Sequence, residues 1–429
     1  MRKKIFLLFF LLAGLAAFSL FAPDNLLSKE ALVSTIVISR AEVKPPEKVF
    51  SLLDKIEEGK KLLKTSPPLK FIEKNKQLFR RETSLAILNI KTEEVFEKRY
   101  WLDEADIKSA NNIRKYYLAN PNNLPKFIPE DPNEDFLIIN DWWNNWNSEW
   151  SVEKISSDND EVFIVAAVKY LTTSTDLPYP EDRSGGKYSD IVYAPYSAFV
   201  HDKEIAELGK KLVKDWVNQA FKKLKDNKVE SRSFPGKLVV ETVDPKFVMH
   251  ILINEQTDQK KLLDAPDTET RLKAAERVLV RYGLNGEATF HYTSSKTGAL
   301  GPAQIMPLTY SNPKKGTGMV QAYLGANLIK DIDIGRVAMI NAIMAQILVF
   351  DDHLVYVINR VNNSGARGKQ IFAGLTPDQL NEVRAMIYNG GPGKYNTATG
   401  GLNLKARGAL ETRGFIQKLR VIRDLRLFD

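Results

Sequence analysis

Behind Arg2, Lys3 and Lys4 stand eighteen residues without a charge, Ile5 to Ala22. A basic start followed by a long apolar run is the layout of an export signal. Ala17-Phe18-Ser19 puts small residues at the two positions a signal peptidase inspects. The run is also long enough to span a bilayer with its basic flank left inside, so residues 1–22 read as a signal peptide or as a retained inner-membrane anchor. A buried N-terminal core helix is the remaining alternative. Everything from residue 23 is expected to fold outside the cytoplasm, in the periplasm or cell envelope. That compartment permits disulfides, but the chain has no Cys. Disulfides, Cys-ligated metal and thiol nucleophiles are therefore excluded. The four His are scattered, with no H-E-x-x-H spacing, and no metal or cofactor is expected. With 44% hydrophobic residues the 429-residue chain can bury a true core, in two to three domains at about 150 residues each.

The net charge is +8, and the surplus lies late in the chain: residues 241–429 carry 24 Lys+Arg against 18 Asp+Glu. Outside the cytoplasm such a surplus suits an anionic envelope polymer, and an ordinary solvated surface has the same look. No Lys/Arg run is interleaved with aromatics, so a nucleic-acid partner is not expected.

Residues 23–135 read as a helical N-terminal region, with Leu78, Leu85 and Leu88 at helical spacing and a Pro- and Asn-rich linker from Ala119 to Asp135. Residues 136–238 read as a mixed, helical region. Trp142, Trp146 and Trp150 fall on one face of a helix, with Trp143 beside them; the cluster reads as packing against the body or as a glycan platform. Glu161 to Leu171 is apolar and too short to divide strand from helix. Lys203 to Lys225 predicts an amphipathic helix with Ile205, Leu208, Leu212, Trp216 and Ala220 on its stripe.

From about residue 239 the sequence becomes chemically informative. Asp244-Pro245 predicts a helix start, an N-cap followed by Pro at the first position. The stripe Phe247, Val248, Ile251 and Leu252 runs into Glu255, four residues past Ile251, so the carboxyl extends the apolar face. Beside apolar side chains a carboxyl holds its proton to higher pH, as a general acid near neutrality requires. A frayed, solvated helix end is the competing reading. Gly298-Ala299-Leu300-Gly301 then offers close backbone approach, and Gln304 offers both donors and an acceptor. Tyr388-Asn389 ends a helix stopped by Gly390-Gly391-Pro392-Gly393.

These blocks in this order resemble the soluble lytic transglycosylase family, of lysozyme-like fold: a helix ending in Glu, a G-A-x-G-x-x-Q-x-x-P block, and a Y-N-x-G-P-G turn. The resemblance covers roughly residues 240–400. Departures from the family pattern are Gln256 for Ser or Thr, Pro302 for a bulky apolar residue, and Gly390 for Ala. The 43 residues from Glu255 to Gly298 exceed the family's usual gap. Glu287, eleven residues before Gly298, is thus the alternative acid, although Gly283-Leu284-Asn285-Gly286 is expected to end the helix Arg271–Tyr282 before it.

The resemblance implies a mainly α chain with a lysozyme-like catalytic domain over residues 239–429. It implies cleavage of the β-1,4 bond from N-acetylmuramic acid to N-acetylglucosamine in peptidoglycan glycan strands, with Glu255 as the single acid and base. Gly298, Ala299, Gly301 and Gln304 would line sugar subsites, Tyr388 and Asn389 would hydrogen-bond substrate, and Met306 would form an apolar wall or simply core. Arg336 to Val361 would be the core helix. A muramidase acting on the same bond, and a non-catalytic, membrane-tethered peptidoglycan-binding protein, are the alternatives.

Overall fold

Residues 71–193 depart furthest from expectation. They build a six-stranded antiparallel sheet, so the fold is α+β and not mainly α. The computed structural model describes residues 50–112, 125–131, 133–142, 149–155, 161–295 and 297–429. The apolar run Ile5–Ala22, Trp143, Trp146 and residues 119–124 of the expected linker lie outside them.

Helix α1 (Leu52–Thr65) starts where the Ser51 Oγ accepts from the Asp54 N–H. Then come β1 (Phe71–Lys74), β2 (Gln77–Asn89), β3 (Val95–Asp103), α2 (Glu104–Asn112), β4 (Ile128–Pro129), β5 (Phe136–Trp142), β6 (Glu149–Lys154), β7 (Phe163–Thr173) and β8 (Tyr188–Tyr193). The sheet order is β4-β3-β2-β7-β8, β1 pairs with β2, and β5-β6 is a separate hairpin.

The expected helix around Leu78–Leu88 fails for a physical reason. Leu85, Ala86, Ile87 and Leu88 of β2 are all buried. Leu85 and Ile87 pack with Ile138, Trp150 and Val152 of the hairpin, while Leu88 and Ala86 face the α1 side with Ile56 and Leu63. A strand covered on both faces loses the alternation that marks a strand, and its apolar run mimics a helix. The tryptophans are likewise not on one helix. Trp142 ends β5 and Trp150 lies on β6, buried edge-on against Phe127 with ring centroids 5.0 Å apart.

The helical layer consists of α3 (Lys203–Asp226), α4 (Pro245–Gln256), α5 (Gln259–Leu263), α6 (Thr268–Asn285), α7 (Ile332–Val337), α8 (Met339–Asn362), α9 (Ala366–Ala373), α10 (Pro377–Gly390) and α11 (Ala409–Asp424), with single turns between. Gly283 does not stop α6. It is where α6 crosses α3: a Cβ on Gly283 would stand 2.3 Å from the Ile205 carbonyl oxygen, and one on Gly209 would stand 1.8 Å from that of Leu279. The expected helix Arg336–Val361 is two helices, broken by extended backbone at Ala338. Helix α8 is long and apolar enough to cross a membrane, yet its side chains from Ala342 to Asp352 are buried as the centre of the helical core.

Burial drives the pKa of His250 and of His291 down to about 4 and lowers that of His353. The unfolded chain therefore binds more protons than the folded one between the ordinary value of 6.5 and about 4. This contribution to stability is complete above pH 6.5 and is lost as pH falls through that window. Thermal midpoints should fall as pH falls through it, and less steeply for His291→Gln; equal slopes for the two proteins would show that this imidazole is solvated.

Candidate functional site

Glu255 stands on the last turn of α4. The helix begins as its sequence requires, with the Lys246 N–H donating to the Asp244 carboxylate at 2.9 Å and Pro245 in the first turn. Every side chain from Phe247 to Asn254 is buried, because α3, α6, α8 and α11 all pack against α4. Glu255 is the first residue past Phe247 to keep part of its side chain accessible. Desolvation still dominates its carboxyl and raises the pKa above the ordinary value; Lys418 opposes this and Glu411 adds to it.

The glycine block lies against this helix end. Gln256 Nε2 donates to the Gly301 and Pro302 carbonyls at 3.3 and 3.0 Å, so the residue that departs from the family pattern ties α4 to the loop. Gly301 has φ of +79° and a Cβ there would lie 2.1 Å from the Arg336 carbonyl oxygen, so no other residue fits. Arg336 is buried and clamps the loop, its Nη1 donating to Gly298 O at 2.7 Å and Ile305 O at 3.1 Å. Ala299 is buried in the loop wall. Gln304 also braces the loop: its Nε2 donates to Thr293 O at 3.1 Å and Gly301 O at 2.8 Å. Met306 is 39% exposed, so it lies on the loop's surface and not in the core.

Tyr388 reaches the same place from the last turns of α10. Its hydroxyl donates to the Ala303 carbonyl, and its ring packs on Phe350 with centroids 4.9 Å apart. Burial and the neighbouring Glu255 charge hold the phenol well above its ordinary pKa, so it stays protonated as a donor. Gln346, fully buried on α8, adjoins the Tyr388 hydroxyl. Asn389 faces α11, where the Thr412 Oγ1 donates to its Oδ1 at 3.0 Å. Glu287 is exposed in the single turn Gly286–Ala288 and has Tyr179 as an electrostatic neighbour.

Glu255, the Gly298–Met306 block and Tyr388 thus converge, while Glu287 remains on the surface. Chemically, the arrangement offers one proton donor of raised pKa beside a rigid loop and a neutral phenol. Lys418, Arg336, Gln346 and the tether from Gln256 escape sequence reasoning. Lys418 and Arg336 resemble ordinary helix charges, and their partners are mostly main-chain carbonyls far along the chain. Comparison with protein-family models, curated proteins and solved structures gives no match to this chain.

Proposed function

We propose that the chain is a peptidoglycan lytic transglycosylase acting through Glu255. One feature carries the reading: a carboxyl at the end of α4 whose pKa burial raises, with the glycine block and the Tyr388 phenol gathered around it. The order of the three blocks, which resembles the family, and the export-type start support it. In this reaction Glu255 gives its proton to the glycosidic oxygen as the C1–O bond of the muramic residue breaks and C1 gains oxocarbenium character. The resulting carboxylate takes the proton of the C6 hydroxyl, whose oxygen bonds to C1 and closes a 1,6-anhydro ring. The proton is returned, and no second carboxylate is needed, unlike the two-carboxylate hydrolases. The Tyr388 hydroxyl and the loop carbonyls would orient the acid and the sugar.

Mass spectrometry of products from purified sacculi tests this. Anhydro-muropeptides are expected. Reducing ends would make the protein a muramidase, and binding without soluble product would make it a wall-binding protein. Tyr388→Phe removes one hydrogen bond while keeping the ring, and should lower turnover by about tenfold at most. Wild-type turnover would assign the hydroxyl to packing alone.

A further inference from the structure

Lys418, on α11, is buried, at 7% exposure. A buried ammonium is costly unless its surroundings use it. Its Nζ donates to Asn254 O at 2.6 Å and Thr257 O at 2.8 Å, so its two acceptors bracket Glu255 in sequence. Basic residues in a helix's own last turn can bond its last carbonyls; Lys418 does so from another helix and from a buried position. The charged and titratable groups that act on Glu255 are Lys418, Glu411 on the first turn of α11, and Tyr388 on α10. Those that act on Lys418 are Glu255 and Asp258, and the Phe415 ring lies 5.7 Å from its ammonium. Among these groups Lys418 is the cation; burial lowers its pKa below the usual lysine value, while Glu255 and Asp258 favour its charged form.

We infer that Lys418 is a positioning residue for the Glu255 chemistry: it holds the end of α4 through two carbonyls and is the counter-charge to the carboxylate formed when Glu255 gives up its proton. This role rests on the reaction proposed above. Proton transfer to the glycosidic oxygen turns a neutral acid into an anion in a desolvated place, and a fixed cation there favours the transfer. Without it the proton stays on Glu255 to higher pH.

Lys418→Gln keeps donors for the two carbonyls and removes the charge. The alkaline limb of the kcat–pH profile on sacculi should move up by about one unit. kcat on the plateau should fall about tenfold with KM unchanged. A merely structural cap would lower the melting midpoint and leave the limb in place, and that result would overturn the role. The chain has no Cys, so Lys418→Cys can be alkylated at that single thiol and refolded, which decides the matter if the glutamine variant does not fold. Aminoethylation should restore the limb and kcat, and carbamidomethylation should not; equal behaviour of the two adducts would also overturn it. Wild-type protein that releases no product would sink the transglycosylase reaction and this role together. Wild-type release of anhydro products with an unmoved limb in the variant would sink the role of Lys418 alone.

Discussion

Asp351→Ala should cost about 3–5 kcal/mol of folding stability, the sum of several buried donors left unsatisfied at about 1 kcal/mol or more each. Asp351 is fully buried on α8 and gathers four donors. Ser231 Oγ, the Arg232 N–H and the Tyr323 hydroxyl donate to its carboxylate at 2.5, 2.6 and 2.7 Å, and Ser233 Oγ donates as well. One side chain thus pins the 231–233 turn and the Tyr323 turn to the core helix. Alanine would leave four donors facing a cavity without an acceptor. Against a total stability of about 5–15 kcal/mol the loss is large. Urea unfolding should show a markedly lower midpoint, and Asp351→Asn, which keeps the volume and one acceptor, should lose less. An unfolding free energy within about 0.5 kcal/mol of wild type, the range of ordinary surface substitutions, would show that water replaces the carboxylate.

Glu255→Gln should reduce release of soluble muropeptides by about a thousandfold or more, within the range that a positioned general acid supplies. The fold should survive. The raised pKa means that Glu255 is already held toward its neutral form, and glutamine matches the neutral acid in shape. Burial makes the carboxylate a burden: the folded state binds its proton more tightly than the unfolded one. Stability therefore falls as pH rises from the ordinary value of 4.5 toward the folded pKa. Relative to wild type, the glutamine variant should hold its melting midpoint better as pH rises through that window. Loss of activity together with loss of fold would instead assign Glu255 a structural role.

The sequence makes the acid helix legible because its signals are local. Asp244-Pro245 sets the start, and a residue four past Ile251 must continue the buried stripe. Lys203–Asp226 is legible for the same reason, with Ile205, Trp216 and Ala220 buried on its stripe. Gly301 is expected to let a ligand approach the backbone, whereas the group close to it is the Arg336 carbonyl, which the sequence does not signal. Gln304 is found in the right loop with a different task, since its amide nitrogen braces the backbone. The sheet is hidden because β2 and β7 are buried on both faces, which erases the period-two pattern. Gly283 misleads, because a glycine that ends a helix and one that lets two helices cross look alike in a single sequence. The break at Ala338 carries no local signal, as both flanks are apolar. Lys418 is invisible because its acceptors lie more than 150 positions earlier in the chain.

The most direct measurement is a side-by-side digestion of purified sacculi by the wild-type chain, Glu255→Gln and Glu287→Gln, with the released 1,6-anhydro-muropeptides quantified. Wild type and Glu287→Gln should release the same products at similar rates, and Glu255→Gln should release about a thousandth as much or less. Undiminished release by Glu255→Gln, or a blank from Glu287→Gln, would contradict the assignment of the acid to the end of α4.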